Sequence, residues 1–578
     1  MKIKILGLAF LLLFLLVIPL LSLPVKAQYG GRLLIADVEP RGLSSIATWG
    51  TCSIVESNIF ESLYYYQEAS GNWVPCLAES FNISSDMLTY TFKLRRDVYW
   101  HDGVKFTAKD VVWTIEYMAS PEFINPFLMD HLESVSAPDD YTVIVKWDTY
   151  DPNKFWMFSH VAIYPEHLYN GTYVPTNPYN NAPIGTGPFK FVEWVRGSHI
   201  LLRANENYRL GRPYLDEIMI VFYSDPAAAV AALENGEIDH IFSTLNPDLN
   251  EIKRLSETEG ISVRESPRQY FVTFLEMNHR REPFNNVLVR KAICAAIDRE
   301  EIVHVIYLDY ASVLDGPIPP GWSDWINPDA KQIVYNPSEA ESLLDQAGYT
   351  RGEGGIRFET TITVTPDLSD LAVIVKDYLS KVGIKTTIRV LDSYAYTNQV
   401  WMTADFDLSF SGVNSVHDPI MFLSGFWFAN GSQYYKLWTW PDGTSHIGYN
   451  NPEVTELVDE AYMELNMTKK KEIAFELQEI LCEDQPVVWL ASPKTFRLFR
   501  DTVQGTEDYP DLRKVWIGLL GDLNYDGIVD IRDIYIVARA FGKREGDPGW
   551  DPTIDIDKNG VVNIVDVATV ARQYGKKL

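Results

Sequence analysis

The sequence predicts an α/β fold of more than one lobe, followed at the C-terminal end by a small all-α unit. Three observations predict it. Short apolar strands alternate with amphipathic helices from Gly30 to about Trp516, the texture of α/β architecture. A stretch of about 490 residues exceeds what one hydrophobic core organises, so at least two lobes are expected. Beyond Trp516 the texture stops, and a loop pattern occurs twice, each copy leading into one short helix.

The chain opens with Lys2 and Lys4, an apolar run from Ile5 to about Leu23, and Pro24-Val25-Lys26-Ala27, where Val25 and Ala27 suit a signal peptidase cutting before Gln28. Residues 1–27 are expected to be an export signal, and the protein to be secreted, extracellular or held at the cell surface. The first cysteine is Cys52, so a lipid anchor beside the cleavage site is not expected, and no later run is apolar enough over the length of a bilayer.

A net charge of -28 argues against nucleic acid, whose phosphates need Lys/Arg stripes. Cys52, Cys76, Cys294 and Cys482 lie far apart without a C-x-x-C, so neither a zinc site nor a disulfide framework is indicated; a Cys52–Cys76 bridge stays open. Sequons at Asn82, Asn170, Asn430 and Asn466 are compatible with an extracellular location.

Several elements are explicit. Tyr90–Leu94 alternates as a half-buried strand does, and the more continuously apolar Thr142–Lys146 reads as a deeper one. Asp225-Pro226 opens a helix that stops before Gly236, and Asp298 with Glu301 marks another start. Asn336-Pro337-Ser338-Glu339 supplies an N-cap, a proline at the first helical position and a capping Glu, with Gly348 as the stop. Cys294 falls on an apolar helix face and is read as core.

The ordered motifs then carry a resemblance. They are Gly30-Gly31-Arg32-Leu33-Leu34-Ile35-Ala36, Ile59-Phe60-Glu61-Ser62-Leu63, Tyr90-Thr91-Phe92-Lys93-Leu94-Arg95, Trp100-His101-Asp102-Gly103 and Phe106-Thr107-Ala108-Lys109-Asp110-Val111. Gly185-Thr186-Gly187-Pro188-Phe189, Leu233–Asp239, Val289-Arg290-Lys291-Ala292, Ala347-Gly348-Tyr349 and Asp418-Pro419 follow. From Gly30 to roughly Trp516 the chain resembles the family 5 extracellular solute-binding proteins, the oligopeptide and dipeptide binders of ABC importers.

The resemblance implies a two-lobed periplasmic-binding-protein type II fold with an extra inserted domain and a ligand cleft between lobes that close by a hinge. The expected body spans 28–516: first lobe about 28–48, 182–268 and 488–516, inserted domain about 49–181, second lobe about 269–487. It also implies a first strand at Gly30–Ala36 and a first helix at Ile59–Leu63, with His101-Asp102-Gly103 as a tight turn and Gly185-Thr186-Gly187 as the lead-in to a strand.

Expected ligand contacts are Asp418, in the place where peptide-binding members pair a carboxylate with the ligand's α-ammonium, and the cleft-lining loop Thr48-Trp49-Gly50-Thr51, with Trp49 and Thr51 facing ligand. The ligand is an oligopeptide or an oligosaccharide; 16 Trp and 32 Tyr tilt composition slightly toward sugar. Partners are an ABC permease and its separate ATPase, since the chain holds no Walker A motif.

Residues 517–578 carry the duplication. Asp522, Asn524, Asp526, the Ile528 carbonyl, Asp530 and Asp533 occupy loop positions 1, 3, 5, 7, 9 and 12, with Gly527 at position 6. The pattern recurs 33 residues later as Asp555, Asp557, Asn559, the Val561 carbonyl, Asn563 and Asp566, with Gly560 at the turn. Two calcium ions are expected. The helices Ile534-Val537-Ala538-Phe541 and Val567-Val570-Ala571-Tyr574 are read as matching core faces, stopped by Gly542 and Gly575. An Asp rather than Glu at position 12 suits the dockerin loop this pair resembles, and the resemblance implies a cohesin-like surface protein as partner and a tether for the body.

The competing reading is a secreted dockerin-bearing hydrolase of polysaccharide, its paired carboxylates hidden among 78 acidic residues. No H-E-x-x-H or G-x-S-x-G motif supports it, and the chain is read as a binder, not an enzyme.

Overall fold

The computed structural model describes residues 29–576 except 49–51, 68–71, 124–128, 151–152, 243–244, 246, 267–268, 415–418, 425–445, 465, 507–510, 519–520, 524–527, 548–549, 552–553 and 558. The expected export signal lies outside the described residues.

Two mixed sheets organise the body. The first runs, in spatial order, Ile261–Glu265, Phe496–Arg500, His240–Ile241, Arg32–Asp37, Glu217–Phe222, His199–Ala204 and Phe189–Val195. The second runs Ala311–Val313, Val487–Pro493, Phe271–Met277, Leu408–Asn414, Phe358–Val364 and Ile384–Val390. A four-stranded antiparallel sheet, Ala78–Ile83, Thr89–Leu94, Thr142–Trp147 and Leu132–Asp139, lies in the segment expected to be inserted.

The two strands read from alternation are neighbours in that third sheet, with Tyr90 opposite Val145 and Phe92 opposite Val143, all buried. They share one core with Leu33, Ile35 and Ile218 of the first sheet. The second sheet is covered on both faces: Val272 and Phe274 join a core with Val454 and Leu477, whereas Leu275 and Met277 join one with Val289, Ile362 and Val375. Strand alternation sends one strand into both cores.

The chain crosses from the first sheet to the second between Glu265 and Phe271, and returns between Pro493 and Phe496. The return comes later than the expected boundary at 487/488, because Val487–Pro493 pairs antiparallel with both Phe271–Met277 and Ala311–Val313 and so belongs to the second sheet. The two crossing segments are tied to each other: Ser266 N donates to the Thr495 carbonyl at 2.9 Å, and the Lys494 ammonium lies 3.1 Å from a Glu265 carboxylate oxygen.

The explicit helix starts form as their chemistry dictates. Asp225 caps Pro226–Asn235, which stops at left-handed Gly236; Asp298 caps Arg299–Val305; and Asn336 caps Pro337–Gln346 by accepting from Glu339 N at 3.2 Å. The helix expected at Ile59–Leu63 instead spans Ser53–Ile59 and ends at extended Phe60. Its last carbonyl is taken by Gly187 N at 2.8 Å, so a packed strand lead-in closes the helix where local propensity would have continued it.

The C-terminal repeats form helices Ile531–Ala540 and Ile564–Arg572 around a core of Leu523, Val529, Val537, Ala540, Ile554, Val562 and Val570. Phe541 and Tyr574, expected on the core face, are 56% and 59% exposed because both helices end before them; Ala538 and Ala571 also face outward.

Candidate functional site

The two segments expected to hold ligand leave the C-terminal ends of strands in opposite sheets. Arg32–Asp37 stands inside the first sheet and leads into residues 38–48, whereas Leu408–Asn414 stands inside the second and leads toward Pro419. The carboxyl ends of strands in an open α/β sheet are where ligand crevices form. Trp49, Thr51 and Asp418 themselves lie outside the described residues.

Their surroundings are firmly rooted. Leu43 and Ile46 are buried, and Tyr164 Oη bridges the loop to the helix behind it, donating to Glu56 at 3.1 Å and accepting from Ile46 N at 3.3 Å. On the other side, Ile420, Phe422 and Leu423 are buried and Gly412 passes against Phe271, whose ring a Cβ at Gly412 would meet at 2.4 Å.

His101 and Asp102 are not a catalytic pair. His101 Nδ1 accepts from Gly185 N at 3.2 Å while Nε2 lies 2.9 Å from the Gly187 carbonyl, so the neutral Nε2–H tautomer stitches the turn to the glycine segment. Burial holds this imidazole's pKa down to about 4. Asp102 instead accepts from His167 Nε2 at 2.9 Å and from Val104 N at 3.1 Å. The Gly185-Thr186-Gly187 segment is no phosphate cradle, since a Cβ at Gly185 would lie 1.8 Å from the Ile59 carbonyl oxygen and one at Gly187 2.6 Å from that of Asn58.

All four cysteines are free and buried, so Cys52 and Cys76 form no bridge. Cys52 lies 3.7 Å from Asp37 and Cys76 3.2 Å from Glu61. Burial first, and those carboxylates second, push both thiols well above the ordinary range, leaving them inert.

Some structural polar groups have partners that the sequence did not announce. Glu61 and Arg209 form an ion pair of 2.6 Å with both side chains almost wholly buried, and Tyr208 Oη donates to the same carboxylate at 2.8 Å. The Arg290 guanidinium donates to the carbonyls of Phe284, Asn285, Asp484 and Gln485, tying the helix Val287–Ala296 to the end of the helix Met467–Asp484. Glu265 and Lys494 at the crossing are recognisable only once both sheets are known.

In the second repeat loop, Asp555, Asp557 and Asp566 offer carboxylate oxygens all within 4.8 Å of one another. Asp555 Oδ2 accepts from Gly560 N at 2.8 Å, while its buried Oδ1 has no hydrogen-bond partner among the described residues. A buried carboxylate oxygen without a donor is costly unless a cation answers it, and an all-oxygen donor set fits calcium. Asp566 also holds the loop together, accepting from Ile556 N and Asn563 N, each at 2.7 Å.

The other expected ligands of this loop bond internally. Asn559 Nδ2 donates to Asp557, and Asn563 caps its helix through Oδ1 while Nδ2 donates to the Val561 carbonyl at 3.1 Å. In the first loop Asn524 and Asp526 lie outside the described residues. Buried Asp533 repeats the role of Asp566, accepting from Leu523 N at 2.7 Å and Asp530 N at 2.8 Å, and Asp530 faces Arg532 with both carboxylate oxygens. The Ile528 residue stands half-buried beside Val529.

Comparison with known proteins agrees with this geometry. Residues 72–434 match the model of the bacterial extracellular solute-binding proteins, family 5 middle region, and residues 520–573 match the dockerin type I domain. The oligopeptide-binding protein AppA of Bacillus subtilis is 28% identical over 530 residues, covering 85% of this chain and 92% of AppA. Its structure with a nonapeptide superposes with a TM-score of 0.68 at 26% identity, over 85% of this chain and all of that one (100%). The periplasmic binding protein DppA of Helicobacter pylori, in complex with the peptide STSA, gives 0.70 at 27% identity, covering 85% and 99%. NikZ of Campylobacter jejuni, in complex with Ni(L-His), gives 0.71 at 25% identity over the same shares, 85% and 99%. Two sheets joined by a double crossing, the family match along most of the body and the calcium-type repeat at its end identify the chain as a member of the family 5 bacterial extracellular solute-binding proteins, the substrate-binding component of ABC importers, bearing a dockerin type I domain.

Proposed function

We propose that this protein captures an oligopeptide in the cleft between its lobes and delivers it to an ABC permease whose ATPase is a separate chain. The observation that carries the reading is the double crossing: two sheets, packed into separate cores, communicate through two short tied segments, the arrangement a hinge needs. Peptide rather than sugar is favoured because two of the similar structures hold peptides. Asp418 is assigned the ligand's α-ammonium, and Trp49 and Thr51 the cover and polar contact from the first lobe. Binding and closure are the whole chemistry; no bond is broken.

The same reading gives the dockerin domain two calcium ions and a cohesin-type surface protein as partner, holding a secreted body near its importer. Among the described residues no helix is long and apolar enough to cross a membrane.

Native mass spectrometry of freshly purified protein tests the ligand class. A retained peptide, lost in Asp418→Ala, is the expected result; a retained oligosaccharide would reassign the cleft, and turnover of either would restore the hydrolase reading.

A further inference from the structure

The two expected calcium loops are tied crosswise. Each is joined to the far end of the other repeat's helix. In the first loop, Val529 stands between Ile528 and Asp530, at positions 7 and 9. Its N–H donates to the Lys576 carbonyl at 3.0 Å, and its carbonyl accepts from Gly575 N at 2.8 Å, both residues following the second helix. In the second loop Val562 stands between Val561 and Asn563 and is held in the same way: its N–H donates to the Lys543 carbonyl at 2.9 Å and its carbonyl accepts from Gly542 N at 2.7 Å, both residues following the first helix. Val529 and Val562 are both fully buried in the shared core, so neither pairing frays into solvent.

Each helix, in turn, starts inside its own loop. Asp530 and Asn563 cap the helices, and Asp533 and Asp566, at loop position 12, complete capping boxes by accepting from the Asp530 and Asn563 N–H groups. With an ion held in the second loop, Asn563 and Asp566 would keep the start of the helix Ile564–Arg572 in place, and the far end of that helix carries Gly575 and Lys576 to the first loop. The first loop returns the same constraint through Gly542 and Lys543.

We infer that this reciprocal clasp couples the two calcium sites, so that filling either loop preorganises the other, with Gly542-Lys543 and Gly575-Lys576 as positioning residues that touch no ion. The inference rests on the reading that both loops bind calcium. Coupling of this kind is reciprocal and amounts to about fivefold or more in affinity.

Calcium titration of the full chain, read by calorimetry, tests it. The wild type is expected to bind two ions with a Hill coefficient above 1. Asp557→Asn, at an exposed ligand of the second loop, is expected to weaken the first loop as well, by about fivefold or more. Gly575→Ala removes no ligand but strains a backbone at φ +90°, and should weaken calcium binding while circular dichroism of the loaded protein stays unchanged. Gly546→Ala bears the same strain at φ +90° outside the clasp and should alter nothing. Two independent sites in the wild type, with the first-loop affinity in Asp557→Asn within about twofold of wild type and Gly575→Ala matching Gly546→Ala, would overturn the coupling while leaving the calcium reading intact. A wild type that binds no calcium would overturn the calcium reading itself.

Discussion

At Gly185 one methyl group decides whether the first lobe closes. A Cβ there has backbone, not a flexible side-chain tip, 1.8 Å away, so relief requires the helix Ser53–Ile59 and the strand Phe189–Val195 to separate. Gly185→Ala is expected to cost about 2–3 kcal/mol in urea unfolding, the upper part of the overpacking range; a loss under ~0.5 kcal/mol would show that the segment can shift. The neighbouring histidine and two others set a pH dependence. Burial lowers His101 to about 4, and His240 and His279 to about 3. Folded pKa values below the unfolded 6.5 mean the unfolded chain binds more protons, so this stability is fully present above pH 6.5 and is lost as pH falls toward 4 and 3. Unfolding free energy measured from pH 7 to pH 4 should fall, and less steeply in His240→Gln, whose native ring is 1% exposed and stacks on Phe499. The turn at His101 was legible in the sequence; its partners Gly185 and Gly187 were not, because they lie more than eighty positions away.

Elements were legible wherever their ends are chemically local. The cap at Asn336 needs only the next three residues, and Asn336→Ala should cost about 1 kcal/mol of stability, measurable as a shift in denaturation midpoint without a change in m-value. The end of the helix Ser53–Ile59 depends on a hydrogen bond from Gly187, so no local pattern announces Phe60 as its stop. The repeat helices divide the same way. Val537 and Val570 were correctly placed in the core by period, whereas Phe541 and Tyr574 are turned out because each helix ends at a backbone pairing with the other repeat's loop. The loops themselves were legible as donor sets, yet Asn559 and Asn563 spend their side chains on Asp557 and on the Val561 carbonyl, a competition that spacing does not reveal.

For the whole molecule, size alone announced more than one lobe, but the return crossing was placed too early because the apolar run Val487-Val488-Trp489-Leu490-Ala491 reads the same in either sheet. The junction after Trp516 was plain, and it has an energetic consequence. Every residue of the repeat core lies between Leu523 and Val570, and the body's cores hold none of them. Among the described residues, the ion pair seen across the junction is that of Lys576, 3.5 Å from Asp501, both about 40% exposed, and an ion pair in that setting contributes little. Body and repeats should therefore unfold as separate units. Without a cation, the clustered carboxylates of Asp555, Asp557 and Asp566 repel one another and Asp555 Oδ1 stays buried without a donor. Calorimetry of the full chain should show two transitions, of which only the repeat's responds to calcium. At a calcium concentration a hundredfold above Kd that transition gains about 2.7 kcal/mol for each ion bound, and chelation removes it while the body's transition stays in place. A single transition that moves as a whole with calcium would mean that the repeat pair is built into the body's own stability, and that the junction carries more than this exposed ion pair allows.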